Sequence, residues 1–266
     1  MEKINPLKSF GQNFLLDKNI LNKIADEINP SRGDNILEIG PGLGALSGEI
    51  LKRTDSLTAV EIDRRVIDAL KEQFENLNVI QGDILATDLK NFASSGNKLR
   101  VVGNIPYNIT SPILFKLIEE RNIISDAVFM IQHEVAKRIT SSKGTKDYGI
   151  LSVVLNYFCD IKYCFKVSPN VFFPKPKVDS AVIHLWFNAD KYPGLEDEQL
   201  YIQTVKAAFG KRRKTLKNSL SSSRFGDIDF TKSEVDLSLR AEQLSIEDFI
   251  LLTNFIRREI YGRKQE

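Results

Sequence analysis

The sequence predicts an α/β protein: a doubly wound, mostly parallel sheet followed by a small all-helical domain. Three observations carry that reading. Short apolar runs alternate with helical stripes over the first three-quarters of the chain. A glycine-rich turn separates the first clear strand from the helix behind it. Beyond Gly194 only helical patterns remain. Alternation of this kind builds parallel sheets, because a crossover between parallel neighbours needs a covering helix.

Ile20, Leu21, Ile24, Ala25 and Ile28 form an apolar stripe at helical spacing, with Asp17 placed to cap it. Asn35–Ile39 reads as a strand running into Gly40, and Ala45–Arg53 as the helix after it. Leu57–Ile62 and Arg64–Phe74 repeat the unit. Val79-Ile80 opens a third strand ending at Gly82-Asp83, and Leu99–Val102 a fourth ending at Gly103-Asn104. Ser111-Pro112 starts a helix reaching Glu119, with proline in the first turn, where its missing N–H has no intrahelical partner to lose. Ala127–Ile131 is a fifth strand. Ile150–Phe158 is helical, and Ile161–Val167 and Ala181–Phe187 are strands with too little chain between them for a crossover helix. An antiparallel edge is therefore expected. Asn188–Gly194, with Asp190, Pro193 and Gly194, reads as a linker. Leu200–Phe209, Thr215–Leu220 and Ile246–Ile260 are helices of the tail. The expected domains are 1–187 and 188–266.

The 266 residues are 42% hydrophobic and 27% charged, the make-up of a globular chain and not of a disordered one. No apolar run approaches the roughly 18 residues a membrane helix needs, so no membrane partner is expected. The N-terminal stretch lacks a continuous apolar core and a small-residue cleavage site; no secretory signal is expected, and the cytoplasm is the expected location. Cys159 and Cys164, with His133 and His184 scattered, give neither a disulfide framework nor a zinc spacing. Reduced, buried or half-buried thiols and no metal are expected. The net charge is only +2, but Gln199–Gly226 holds no acid and seven cations: Lys206, Lys211, Arg212, Arg213, Lys214, Lys217 and Arg224. Such a block either meets a phosphate backbone or forms a solvated helix face balanced by Glu196, Asp197 and Glu198.

Glu38-Ile39-Gly40-Pro41-Gly42-Leu43-Gly44 joins the first predicted strand to its helix. Gly40, Gly42 and Ala45 satisfy a relaxed dinucleotide fingerprint, and Glu61 stands 21 residues after Gly40, where a ribose-binding acid belongs. The pattern fits a nicotinamide cofactor or S-adenosylmethionine (SAM). Three features favour SAM. A carboxylate at Glu38 suits an ammonium or sulfonium and repels a pyrophosphate. Pro41 removes an N–H that a phosphate cradle would use. Asp83, ending the third strand, can accept an adenine amine.

Asn104-Ile105-Pro106-Tyr107 ends the fourth strand. The N6 amine of adenine is a poor nucleophile because its lone pair is delocalised into the ring. What it needs is hydrogen-bond acceptors that hold its N–H groups and favour sp³ character. The Asn104 side-chain oxygen and the Ile105 carbonyl can supply them, Pro106 directs the loop, and Tyr107 offers a ring to stack on. No cysteine stands here, which argues against pyrimidine C5 chemistry. Val171-Phe172-Phe173-Pro174-Lys175-Pro176-Lys177-Val178-Asp179 reads as a proline-bracketed loop, not a strand, with a phenylalanine placed either to clamp an extruded base or to fill the core.

Together with Lys8-Ser9-Phe10-Gly11-Gln12-Asn13-Phe14-Leu15, these motifs resemble those of the ribosomal RNA adenine N6,N6-dimethyltransferases, in the same order. The tail, with Leu239-Arg240-Ala241-Glu242-Gln243-Leu244-Ser245, resembles the family's small C-terminal domain. Phe10-Gly11, Tyr148–Val153 and the tail are more like the branch that dimethylates two adjacent adenosines in the 3′-terminal hairpin of small-subunit (16S) rRNA during ribosome assembly. The other branch acts on large-subunit (23S) rRNA and confers macrolide resistance. The resemblance implies a SAM-dependent methyltransferase fold. It implies that Asn13 and Leu15 close over SAM, that Gly40 touches its methionine part, Glu61 its ribose and Asp83 its adenine, and that Glu38 supports them. It implies that Asn104 meets both SAM and the target amine, and that Tyr107 and Phe172 sandwich the adenine. The implied partner is a small-subunit precursor with its 16S rRNA; a monomer is the default expectation. RNA docking is expected on the basic window together with Lys137, Arg138, Lys143 and Lys146.

Overall fold

The computed structural model describes residues 11–93, 96–187 and 191–262. Lys8, Ser9 and Phe10 of the N-terminal motif, and 188–190 of the expected linker, lie outside the described residues. Contacts divide the chain into two compact units, one of Met1–Ala136 with Asp160–Phe187, the other of Lys137–Cys159 with Asn188–Glu266. The second unit thus begins with residues that a single boundary after 187 assigns to the first.

In the first unit, β1 (Phe14–Leu15) leads to α1 (Lys18–Ile28), whose start is fixed by Asp17 accepting from Asn19 N at 2.9 Å and Ile20 N at 3.0 Å. Five strands and three helices follow: β2 (Asn35–Ile39), α2 (Ala45–Leu51), β3 (Leu57–Glu61), α3 (Arg64–Gln73), β4 (Leu77–Gln81), β5 (Leu99–Asn104), α4 (Thr110–Glu119) and β6 (Ile124–Gln132). A short α5 (His133–Ile139), α6 (Ile150–Phe158), β7 (Cys159–Val167), β8 (Phe172–Phe173) and β9 (Ser180–Phe187) come next. The seven-stranded sheet has the order β4-β3-β2-β5-β6-β9-β7. The pairs β2–β3, β3–β4, β2–β5 and β5–β6 are parallel, and β6–β9 is antiparallel, so the sheet carries the expected antiparallel addition beside β6.

The chain enters at β2, builds outward to β4, then returns to β5 on the other side of β2. That reversal opens a crevice at the carboxyl ends of β2 and β5, the place where sheets of this kind hold ligands. The two strands close tightly there. A Cβ on Gly103 would stand 2.5 Å from the Ile39 carbonyl oxygen, so glycine is required at that point. Beneath the crevice Ile36, Leu46, Ile50, Leu57, Val66, Leu70, Val102 and Met130 pack as one apolar cluster.

Most predicted elements form within one or two residues of their expected bounds. Two departures bear on the site. The proline-bracketed loop contains a strand after all: Phe172–Phe173 pairs antiparallel with Phe14–Leu15. Its pattern was too short to read locally, because its partner lies far away in sequence. The helix α5 starts directly at the end of β6 with no turn residue to mark it.

In the second unit α7 (Glu198–Phe209) packs on α6, α8 (Leu216–Ser221) and α9 (Ile246–Gly262), and α9 also meets α6. Val153, Val154, Leu155, Tyr157 and Phe158 of α6 are all buried, so this helix is covered on most sides. Tyr157 packs on Tyr201 at 4.7 Å between ring centres, and Tyr148 Oη donates to Leu244 O at 3.0 Å. Among the described residues no helix is long and apolar enough to cross a membrane. Cys159 is buried and Cys164 half-buried, both as free thiols.

Candidate active site

The crevice is a cavity lined by Gly40, Gly42, Glu61, Asp83, Asn104 and Tyr107, with Gln12, Asn13 and Leu15 across its mouth. Gly40 has φ +66°, and a Cβ built there would meet nothing within 4 Å, so its backbone borders open space. Both Glu61 carboxylate oxygens are oriented by the backbone: Oε2 accepts from Gly42 N at 3.1 Å and Oε1 from Asp63 N at 2.8 Å. Burial nevertheless pushes the Glu61 pKa up against these bonds. Glu38 is 1% exposed, and Ser47 Oγ donates to it at 2.5 Å. Burial, reinforced by the charge of Glu61 and opposed by Ser47, pushes Glu38 up to about 7. Asp83 is exposed and accepts from Leu85 N at 2.9 Å through Oδ1. Among the described residues the wall therefore carries three carboxylates and no lysine, arginine or histidine.

The tetrapeptide forms the opposite wall. Ile105 is buried, its N–H bonded to Met130 O at 3.0 Å, which fixes the loop to β6. The Pro106 carbonyl accepts from Ile109 N at 3.1 Å and Thr110 Oγ1 at 3.3 Å and so starts α4. Asn104 Nδ2 donates to Asn13 O at 2.9 Å, leaving Oδ1 as an acceptor toward the cavity loop. The half-buried Tyr107 shares a 2.7 Å hydrogen bond with Ser180 Oγ at the start of β9. Burial raises its pKa, so the phenol stays protonated at neutral pH and is no general base.

The N-terminal segment is a strap fastened at three points. Asn13 holds Asn104, the β1–β8 pair holds Phe172 and Phe173, and Gln12 Nε2 donates to Asp63 Oδ2 at 2.8 Å. Asp63 is itself gripped by Arg65 at 2.6 and 2.9 Å, which holds its carboxyl down at about 2. Sequence reasoning missed Gln12, Asp63, Ser180 and Gly103 as site residues; for Asp63 the signal was its place as the cap of α3.

Asn13, Leu15, Gly40, Glu61, Asp83, Asn104, Ile105, Pro106 and Tyr107 are brought together around one cavity. Phe172 is not among its lining residues. It is 5% exposed and packs in the core cluster with Leu15, Leu21 and Ile24, whereas Phe173 is 56% exposed. The alternation of side chains along β8 turns one ring inward and the next outward.

The seven cations of 206–224, and Lys137, Arg138, Lys143 and Lys146, all belong to the second unit and are all exposed. Two of the three acids that could have balanced them are engaged elsewhere: Glu196 pairs with Arg257 and Asp197 caps α7. Arg212 reaches Glu242 only at 3.9 Å.

Comparison with known proteins gives one family model, described as Ribosomal RNA adenine dimethylase, which matches residues 3–258. Ribosomal RNA small subunit methyltransferase A of Chlorobaculum parvum is 49% identical over 92% of this chain and 87% of its own length. The protein of the same name from Clostridioides difficile is 41% identical, over 96% and 92%. A dimethyladenosine transferase from Plasmodium falciparum superposes with a TM-score of 0.77 at 27% identity, covering 92% of this chain and 98% of that one. The 23S rRNA methyltransferase ErmE superposes with a TM-score of 0.66 at 27% identity, over 92% and 99%. A family match over nearly the whole length, on a fold whose ligand crevice carries the same motifs, establishes that the chain belongs to the ribosomal RNA adenine dimethylase family.

Proposed function

We propose that this protein transfers methyl groups from SAM to the N6 amines of two adjacent adenosines in the 3′-terminal hairpin of small-subunit (16S) rRNA during ribosome assembly. The observation that carries the reading is a crevice with three acids and, among the described residues, no lysine, arginine or histidine, joined to an Asn-Ile-Pro-Tyr wall. A negative cavity suits a sulfonium and an ammonium and repels the pyrophosphate of a dinucleotide. Gly40 and Glu38 are assigned to the methionine part, Glu61 to the ribose, Asp83 to the adenine, and Asn13 and Leu15 to the cover. SAM, when bound, supplies an electrophilic methyl.

The chain's own residues do the rest. Asn104 Oδ1 and the Ile105 carbonyl accept the N–H groups of the target amine. They draw its lone pair out of the ring without a strong base. Tyr107, tethered through Ser180, holds the adenine by its face, while Phe172, buried in the core and outside the cavity lining, supports the strap through the β1–β8 pair. The strap excludes water from the cavity. Rate enhancement then comes from position and electrostatics. The exposed cations of the second unit hold the phosphate backbone of the small-subunit precursor. The enzyme is assigned to the cytoplasm and to a monomeric state, with no metal in the reaction.

Relatives named for the small subunit are 41–49% identical, whereas ErmE is 27% identical, so the large-subunit reading is not favoured. Two experiments test the assignment. SAM should raise the melting temperature and NADH should not; the reverse would select a nicotinamide enzyme. Expression in a macrolide-sensitive host should leave it sensitive; acquired resistance would move the target to 23S rRNA.

A further inference from the structure

A second groove lies beside the catalytic wall. It is lined by His133, Glu134, Pro169, Lys177, Val178 and Asp179. Its place is fixed by the sheet register. Gln132 pairs with Ser180, the residue whose hydroxyl holds Tyr107, and the next residues in each direction, His133 and Asp179, are joined by His133 N–H donating to Asp179 O at 2.9 Å. The groove therefore begins one residue from the tether of the ring assigned to the target adenine.

The groove and the chain leading to it carry two kinds of side chain. One is aromatic and apolar: the lining His133 stands edge to face with Tyr163 at 5.9 Å with a 3.1 Å hydrogen bond between Nδ1 and Oη, the lining Val178 is 45% exposed, and Phe173, four residues before the lining Lys177, is 56% exposed. The other is cationic. Lys166 neutralises Asp179 at 2.7 Å, while Lys175 and Lys177, both exposed, have no ion-pair partner among the described residues. The buried Pro176 anchors the loop between these two lysines. Glu134 adds a carboxylate that can accept from a base amine or a ribose hydroxyl. An exposed ring beside unpaired cations is what an unpaired nucleic-acid strand is held by, a base on the ring and phosphates on the cations.

We propose that this groove and the loop from Phe173 to Val178 form a subsite for the nucleotide flanking the target adenosine. The inference rests on the placement of that adenosine at Tyr107. The subsite holds the neighbouring base against Phe173 and its phosphate against Lys177, and so sets which adenosine enters the cavity.

The test measures binding of small-subunit precursor particles, and of protein-free 16S rRNA, at several KCl concentrations. The proteins are wild type, Phe173→Ala, Phe173→Tyr and Lys177→Ala, with SAM affinity followed by calorimetry. Phe173→Ala should weaken RNA binding about fivefold or more at every salt concentration, and Phe173→Tyr should restore it. Lys177→Ala should weaken binding and flatten the log–log salt slope by about 0.7–1. SAM affinity should stay at the wild-type value in all three. Wild-type affinity and salt slope in both alanine variants would overturn the proposal. So would an effect seen on particles and absent from protein-free rRNA, which would make the partner a ribosomal protein. A wild-type protein that neither binds these RNAs nor methylates them would instead remove the reading of the active site.

Discussion

Glu38 is a buried carboxylic acid whose one hydrogen-bond donor among the described residues is a neutral hydroxyl, Ser47, and burial raises its pKa from 4.5 to about 7. Between those values the folded protein holds a proton that the unfolded chain releases, so stability falls as pH rises through the window. Glu38→Gln should remove this slope, measured by urea unfolding at pH 5 and pH 8. A bound sulfonium favours the ionised acid. SAM affinity should therefore rise about tenfold from pH 6 to pH 8, while uncharged-sulfur S-adenosylhomocysteine changes less. Calorimetry at both pH values decides it, and equal slopes for the two ligands would remove the charge argument. Tyr107 makes a different prediction. Base stacking is worth about 1–3 kcal/mol, so Tyr107→Ala should lower turnover about 10- to 100-fold with SAM affinity within about twofold of wild type. Phe172→Ala, by contrast, should destabilise the fold by about 3 kcal/mol, because its ring is part of the core.

At the scale of elements, the two-residue strand β1 joins the parts of the site. Gln12 reaches the charged Asp63, whose N–H orients Glu61, and Asn13 and Leu15 reach Asn104 and Phe172. A hydrogen bond to a charged group is stronger than a neutral one, so Gln12→Ala should raise the SAM dissociation constant about fivefold or more. An unchanged constant would show that the strap closes without this latch. The strands and helices of the sheet were legible in the sequence because each carries its own pattern: β2 is a short run buried from Ile36 to Ile39, and Val66, Ile67 and Leu70 form one face of α3. The glycine turn, Glu61, Asp83 and the tetrapeptide were legible because strand ends in such a sheet share one side. The β1–β8 pair was not, since two residues have no period and their pairing is a tertiary fact. Ser180 looked like an ordinary strand start, and its role exists only through the ring of Tyr107 that reaches it.

At the scale of the whole molecule, charge is segregated by unit. The cavity of the first unit is acidic, while the second carries a run of exposed cations, two of whose nearby acids are used as a cap and in a pair with Arg257. The small net charge of +2 hides this separation. Each phosphate contact adds close to one unit to the salt slope of binding. Reversing Lys211, Arg212 and Arg213 to glutamate should weaken binding to the small-subunit precursor and flatten that slope by about 2–3, with SAM affinity unchanged. Identical slopes would move the RNA contact off this face.

The most direct measurement of the central claim is mass spectrometry of rRNA fragments after incubation of precursor particles with isotopically labelled SAM. The account predicts N6,N6-dimethyladenosine at two adjacent positions in the 3′-terminal hairpin of 16S rRNA, and about 10- to 100-fold slower labelling with Tyr107→Ala. Label in 23S rRNA alone, on another base, or nowhere would contradict it.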